Sequence, residues 1–486
     1  MDTHLYWVGD SSPRLYRLRP LLGRLLLLCL LCVCGLFLGR APLITCLVLV
    51  FGGAAGVLLL LRPSLGLYLL AFTVPFGSLW EFQFGGVTFG PSEAVLLTMF
   101  GSWLLHVMAF RRTVLRGAPL LWAVGLYVGA MLLSVWPASS MMAAFKPLAK
   151  WIAFGLLYLF VARALDGHGR RALVGALLLA GICQGALGIY QFVQQKGPEG
   201  FVLMGRYMRA HGTFSQPNPF GGYVGLLLPV AYTIFFGLWQ RAWSRREVPL
   251  LALWSVAAVA SVVLLTALVM SWSRGALLGF VAGLALVGLG LGRRAWAVVL
   301  VVLFLILLLA PYVLPLLPMD LVRRFSDLVH YLGRDLTAIE ITDENFAIVE
   351  RVAHWQAAWR MFAARPWLGV GTGQYVTTYG SVAPPRWQDP LGHAHNYYLH
   401  VLAEGGLVGL ASYLTLLAAA LVGVWRRVGE GDGWSVSLSL GVLGMLAHLS
   451  VHNLFDNLYV HEMYLLVAVL LGLVLYERGP KERSVI

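Results

Sequence analysis

The sequence predicts an all-α polytopic membrane protein of about 12 to 14 transmembrane helices, with one large extracytoplasmic loop that contains helices of its own. Composition and run length carry that prediction. Of the 486 residues, 59% are hydrophobic and 12% charged, whereas a soluble domain carries about 25% charged residues. Mean hydropathy is +0.78. The apolar runs approach the roughly 20 residues a helix needs to cross hydrocarbon, well beyond the roughly 10 of a barrel strand. Disordered, collagen-like and disulfide-scaffold chains are excluded. Cys29, Cys32, Cys34, Cys46 and Cys183 all fall inside apolar segments, so neither a structural disulfide nor a cysteine metal site is expected.

The candidate spans run at 21–38, 41–61, 64–79, 92–109, 118–136, 145–165, 171–193, 217–238, 249–270, 274–291, 295–313, 396–425, 435–453 and 459–476. Residues 1–38 resemble a signal peptide, with Arg14, Arg17 and Arg19 before an apolar run, but no small-residue cleavage site follows and the segment reads as an anchor. With the N terminus placed in the cytoplasm, alternation puts most arginines in cytoplasmic segments and leaves the outer segments near neutral. The net charge of +13 therefore reports membrane orientation and not a nucleic-acid partner. Both termini come out cytoplasmic.

The chain divides into N-terminal helices (1–144), core helices (145–313) with an outer segment at 194–216, the large outer loop (314–395) and C-terminal helices (396–486). A loop as long as 314–395 is normally functional. Within it, Phe346, Val349, Ala353, Trp355, Ala358, Trp359 and Phe362 follow a helical pattern, with Asp343 as N-cap and Arg365-Pro366 as its end. No transporter-type repeat and no phosphate loop followed by lysine is present.

Ionisable groups at membrane depth or at a pore mouth are costly, so they mark function. Those at the outer face are Arg206 and Arg209, Arg274, and His393 and His395. Arginine forks phosphate oxygens and keeps its charge, while histidine takes a proton near neutral pH. This set suits an anionic substrate and a proton acceptor. On a continuous helix Gly406 and Gly409 would lie about 20° and about 40° from the direction of His395. They would form a face for close helix approach, with Glu404 opposite, buried or partnered. His448, His452 and Asp456, spaced i, i+4, i+8, read as one polar helix face in which Asp456 orients a histidine or arginine.

Several of these segments together resemble the O-antigen ligase/polymerase family of bacterial membrane glycosyltransferases. They are His395-Asn396 with Gly406 and Gly409, Gly212-Thr213-Phe214 followed by Pro217-Asn218, and Ser273-Arg274-Gly275. Pro366-Trp367-Leu368-Gly369-Val370-Gly371-Thr372-Gly373 and the late His448…His452-Asn453-Leu454-Phe455-Asp456 complete the set. The resemblance spans roughly residues 145–476. It implies a GT-C-like fold and a metal-independent, inverting transferase without cofactor. It also implies an undecaprenyl-diphosphate-linked glycan donor and a glycan, lipid A-core or protein acceptor. His395 would be the general base. Arg209, Arg274 and Arg206 would bind diphosphate, supported by Asn396, Asn218, His393, His452 and Asp456. The rival reading is a transporter or channel for a small anion or glycan.

Overall fold

The computed structural model describes residues 42–292 and 339–476, apart from 81, 85–86, 111–117, 204, 246 and 343–344, with positions 295, 297, 331 and 336 between those stretches. Two compact units are present, Met1–Pro63 and Ser64–Ile486. The described part of the first contains one helix, α1 (Leu43–Leu61).

The second unit opens with α2 (Leu65–Phe76), a short antiparallel pair β1 (Phe82–Phe84) and β2 (Val87–Phe89), and α3 (Pro91–Phe110). Next come α4 (Leu121–Leu133), α5 (Met141–Ala164) and α6 (Gly167–Val193). The segment after α6 holds a second pair, β3 (Val202–Leu203) with β4 (Tyr207–Met208). Then α7 (Pro217–Arg245), α8 (Val248–Met270) and α9 (Arg274–Gly290) follow. The large loop contributes α10 (Phe346–Ala364) and α11 (Tyr375–Val382). The chain closes with α12 (Tyr397–Val428), α13 (Gly433–His452) and α14 (Met463–Val474).

Every predicted span that falls on described residues is helical. The span 21–38 and all of 295–313 except positions 295 and 297 lie outside the described residues, as do Cys29, Cys32, Cys34 and Asp343. Among the described residues, seven helices are long and apolar enough to cross a membrane, and five apolar helices are shorter. The helix read from Asp343 begins later, at Phe346, with Asn345 before it. Polar caps start several helices. Ser140, Asp166, Asn396 and Asp432 each accept a first-turn amide through the side chain, satisfying groups that apolar surroundings cannot.

Helix α13 is largely buried, packed against α7, α9, α12 and α14. Its neighbours come close because they are small where it is large. A Cβ on Gly225 of α7 would sit 1.9 Å from the His448 ring, and one on Gly275 of α9 would sit 2.8 Å from the His452 ring. Outward-facing side chains are apolar in the manner of a lipid-facing surface. Val259, Val262, Leu265 and Val269 of α8 are all exposed.

The two ends of the bundle differ chemically. At one end the arginines close the helices. Arg170 donates to the carbonyls of Ala162, Gly472 and Leu473, Arg427 donates to that of Tyr476, and Arg241 pairs with Asp432 at 3.3 Å. At the other end stand the starts of α7, α9, α12 and α14 and the end of α13, and these carry the predicted site residues.

Candidate active site

The site is assembled from four turns. The turn between α8 and α9 is tight, with Trp272 in the left-handed region (φ 52) and Ser273 extended, so Arg274 becomes the first residue of α9. The 194–216 segment is tied to that turn. Ala210 N–H donates to Met270 O at 3.0 Å, and Arg209 Nε donates to Ser271 O at 2.9 Å. A second Arg209 nitrogen donates to Asn218 Oδ1 at 2.9 Å. From α6, Gln191 Oε1 accepts the amides of His211 and Gly212, and Gln184 accepts that of Thr213. The Gly212-Thr213-Phe214 motif is thus the part of the arginine loop that α6 grips.

His395 lies in the third turn. Its backbone is left-handed (φ 48), a strained state for a non-glycine residue. It is held there from both sides. His393 Nδ1 accepts His395 N–H at 3.1 Å, and Trp355 Nε1 donates to His395 O at 3.4 Å. Asn396 follows as the N-cap of α12 and accepts Leu399 N–H at 3.0 Å. The fourth turn begins where α13 ends. Asp456 N–H donates to His452 O at 3.1 Å, and Asp456 Oδ1 stands 3.5 Å from His395 Nδ1. Asp456 is therefore off the helix face on which its spacing placed it. His448 and His452 do share a face, 3.4 Å apart ring nitrogen to ring nitrogen. Asp456 instead turns back to the histidine of another helix.

Electrostatics follow from this packing. Burial pushes the Asp456 carboxyl up, but its contact with His395 and the nearby His393 and Arg351 outweigh burial and hold it well below the usual carboxylate range. Burial, then the neighbouring His395, depresses His393 to about 3 and His354 to about 3. Both are neutral near pH 7. Burial raises the Glu350 carboxyl, opposed by His395 and Arg351.

Arg209, Asn218, Arg274, His393, His395 and Asp456 all line one cavity of about 1260 Å³, and His452 joins them. Arg206 does not. It is exposed, with its guanidinium 5.3 Å from the Tyr207 ring centre. His393, His395 and Asp456 also form the trio among the described residues whose ligand atoms lie within 4.8 Å of one another. One His393 nitrogen is already engaged by the His395 amide, which leaves its other nitrogen for any such role.

The reading of Gly406 and Gly409 as a helix-approach face is overturned. Gly406 breaks α12, with φ 60 and ψ −157. The amides beyond the break leave the helix ladder, Leu407 for Pro366 O and Val408 for Trp367 O. In return Val370 and Gly371 donate to Ala403 O and Glu404 O. Ser134 Oγ bridges Leu368 O and Glu404 O. The carboxylate of Glu404 accepts the amides of Gly373 and Tyr375, each at 2.9 Å. Glu404 is partnered, as expected, but by loop amides beside the break and not on the far face of a continuous helix. Two motifs distant in sequence thus form one backbone clamp behind the histidine. Residues that sequence reasoning missed are Lys150, Arg351 and Glu462, which also line the cavity. Lys150 had a signal, a lysine inside an apolar helix.

Fold and site together define a helical membrane protein with an arginine- and histidine-lined cavity at one end of its bundle. Residues 259–414 match the model of the O-antigen ligase family (Wzy_C). That stretch includes Arg274, His395-Asn396, Gly406 and Gly409, while Arg209 and Asp456 lie on either side of it. No match is found among curated proteins.

Proposed function

We propose that this protein is a membrane glycosyltransferase that moves a glycan from an undecaprenyl-diphosphate donor to an acceptor hydroxyl at the extracytoplasmic face, as ligase or polymerase. The match to the O-antigen ligase model supports a membrane glycan-transferring enzyme. One observation carries the chemistry: His395, backed by Asp456 at 3.5 Å, shares a cavity with Arg209 and Arg274. The negative charge of Asp456 beside Nδ1 favours a proton there, which leaves Nε2 to accept the acceptor's proton. The acceptor oxygen attacks the anomeric carbon from the side opposite the diphosphate. The C–O bond to the diphosphate breaks and the configuration inverts. The arginines stabilise the charge that builds on the leaving oxygen. Arg209, braced by Ser271 O and Asn218, is preorganised for this. Arg206 is left to contact sugar or lipid headgroup outside the cavity. No metal or soluble cofactor is needed.

The test is acceptor-dependent consumption of lipid-linked glycan by purified protein. His395→Ala is expected to lose about 100- to 10,000-fold in rate, the range of a general base, with donor binding kept. Arg209→Lys and Arg274→Lys are expected to recover only part of what alanine loses, because a point charge replaces a fork. Chelator is expected to change nothing. Wild-type rates in His395→Ala, or activity lost to chelator and restored by a divalent ion, overturn the reading. The transporter reading predicts movement across sealed vesicles and no glycan product.

A further inference from the structure

The same cavity has a second polar wall that the proposed chemistry leaves unused. Lys150, on the candidate span α5, lines it. The carbonyl of Tyr459 accepts one of its protons, and the rings of Tyr459 and Tyr464 have their centres 5.8 and 5.2 Å from Nζ. An ammonium has three protons to donate, and at this depth each one without a partner is costly. Glu462 lies close enough to interact electrostatically with Lys150. Its Oε2 is enclosed and has no hydrogen-bond partner by geometry among the described residues, although the Tyr464 hydroxyl and the Glu93 carboxyl stand close enough to interact with its carboxyl group. Glu93, in the first turn of α3, faces the same space, with one oxygen held by Gly90 N–H at 2.9 Å.

The corner that presents Glu462 is strained. His461 (φ 48) and Glu462 (φ 59) are consecutive non-glycine residues in the left-handed region, and such strain persists where a site is held in shape. His461 packs edge-on against Phe214 and stands 3.4 Å from Ser215 Oγ, which ties the corner to the arginine loop. Asp456 belongs to the same turn, six residues earlier. The segment that sets Asp456 against His395 therefore also sets Glu462.

From a donor and an enclosed acceptor on one cavity wall, we infer that Lys150, Glu462 and Glu93 form a sugar-hydroxyl subsite that holds a glycan ring for transfer at His395. The inference rests on the transferase reading above. Neighbouring sugar hydroxyls each give and accept a hydrogen bond, so an ammonium beside a carboxylate matches a diol. A divalent cation fits less well, because Lys150 adds a positive charge. Phosphate fits less well, because two carboxylates repel it.

The test is direct binding to the full chain held in amphipol, compared with Glu462→Gln and Glu93→Gln. Both substitutions keep side-chain shape, and having two keeps the test usable if one variant fails to fold. Three probes are used: undecaprenyl diphosphate, the same lipid carrying one hexose, and dodecyl maltoside below its micellar concentration. The variants are expected to bind dodecyl maltoside about tenfold more weakly, the scale of one charge-assisted hydrogen bond, and undecaprenyl diphosphate as the wild type does. If the hexose-bearing lipid also loses its advantage over the bare diphosphate, the subsite holds the donor sugar. If that advantage survives, it holds the acceptor sugar. Equal binding of dodecyl maltoside by wild type and variants overturns the inference. So does calcium or magnesium binding that Glu462→Gln abolishes while maltoside binding is unchanged. Failure of the transferase reading looks different: no glycan transfer by wild type, whatever the maltoside result.

Discussion

Asp456 meets His395 where two turns of the chain come together, and its charge survives burial because of what surrounds it. The carboxylate meets His395 at 3.5 Å and also accepts Asn457 N–H at 2.9 Å. Asp456→Asn keeps the shape but removes the preference for a proton on Nδ1. Transfer is expected to fall by about 100-fold or more, with undecaprenyl diphosphate binding unchanged in the same preparation. His393 gives a stability prediction. Its folded pKa of about 3 lies below the unfolded value of about 6.5. Between those values the unfolded chain binds the extra proton, so stability falls as pH drops from about 6.5 toward 3. His393→Asn can still accept the His395 amide and has nothing to titrate. Its melting temperature, measured from pH 7.5 to 5, is expected to fall less steeply than the wild type's. Parallel curves would remove His393 as the cause. Glu350 titrates in both proteins and cancels in that comparison.

At the scale of elements, α12 is two helices joined by an exchange of backbone hydrogen bonds. Breaking a helix in an apolar setting strands amides and carbonyls, and the Pro366–Gly373 loop takes them up. Only glycine fits the junction. A Cβ at Gly406 would lie 2.4 Å from the Trp367 carbonyl carbon, and φ 60 with ψ −157 is essentially closed to other residues. Gly406→Ala is expected to cost more than about 1–3 kcal/mol, read as loss of folded protein or a much lower melting temperature. Gly409→Ala meets its nearest neighbour at an ordinary 3.6 Å and is expected to be nearly neutral. The opposite ranking would restore the helix-face reading. Periodicity could not see this, because a glycine in a helical pattern looks the same whether it packs a neighbour or breaks the ladder.

For the whole molecule, the separation of its ends makes a topological prediction. The arginine carpet at one end, including Arg170, Arg241 and Arg427, fits the cytoplasmic side by the positive-inside rule, which puts the cavity outside. Cysteines placed at the exposed Ser381 and Glu430 are expected to label oppositely in intact cells, Ser381 from outside and Glu430 only after permeabilisation. Labelling of Glu430 alone would reverse the orientation and remove access of the site to an outer-leaflet donor.

The sequence by itself determined that the chain is a bundle of apolar helices, roughly where each helix runs, and which arginines and histidine to watch. Those properties are local: run length, charge spacing and short motifs are read within a few turns of chain. Tertiary structure decided which residues meet. It turned Asp456 off its helix toward His395 and left Arg206 exposed. It converted Gly406 from a packing face into a break and brought Lys150, Glu93 and Glu462 to one wall. Apart from the exposure of Arg206, these outcomes depend on contacts between residues 29 to several hundred positions apart, made by polar groups that an apolar setting makes costly to leave without partners. No helical period or motif spacing records such pairs.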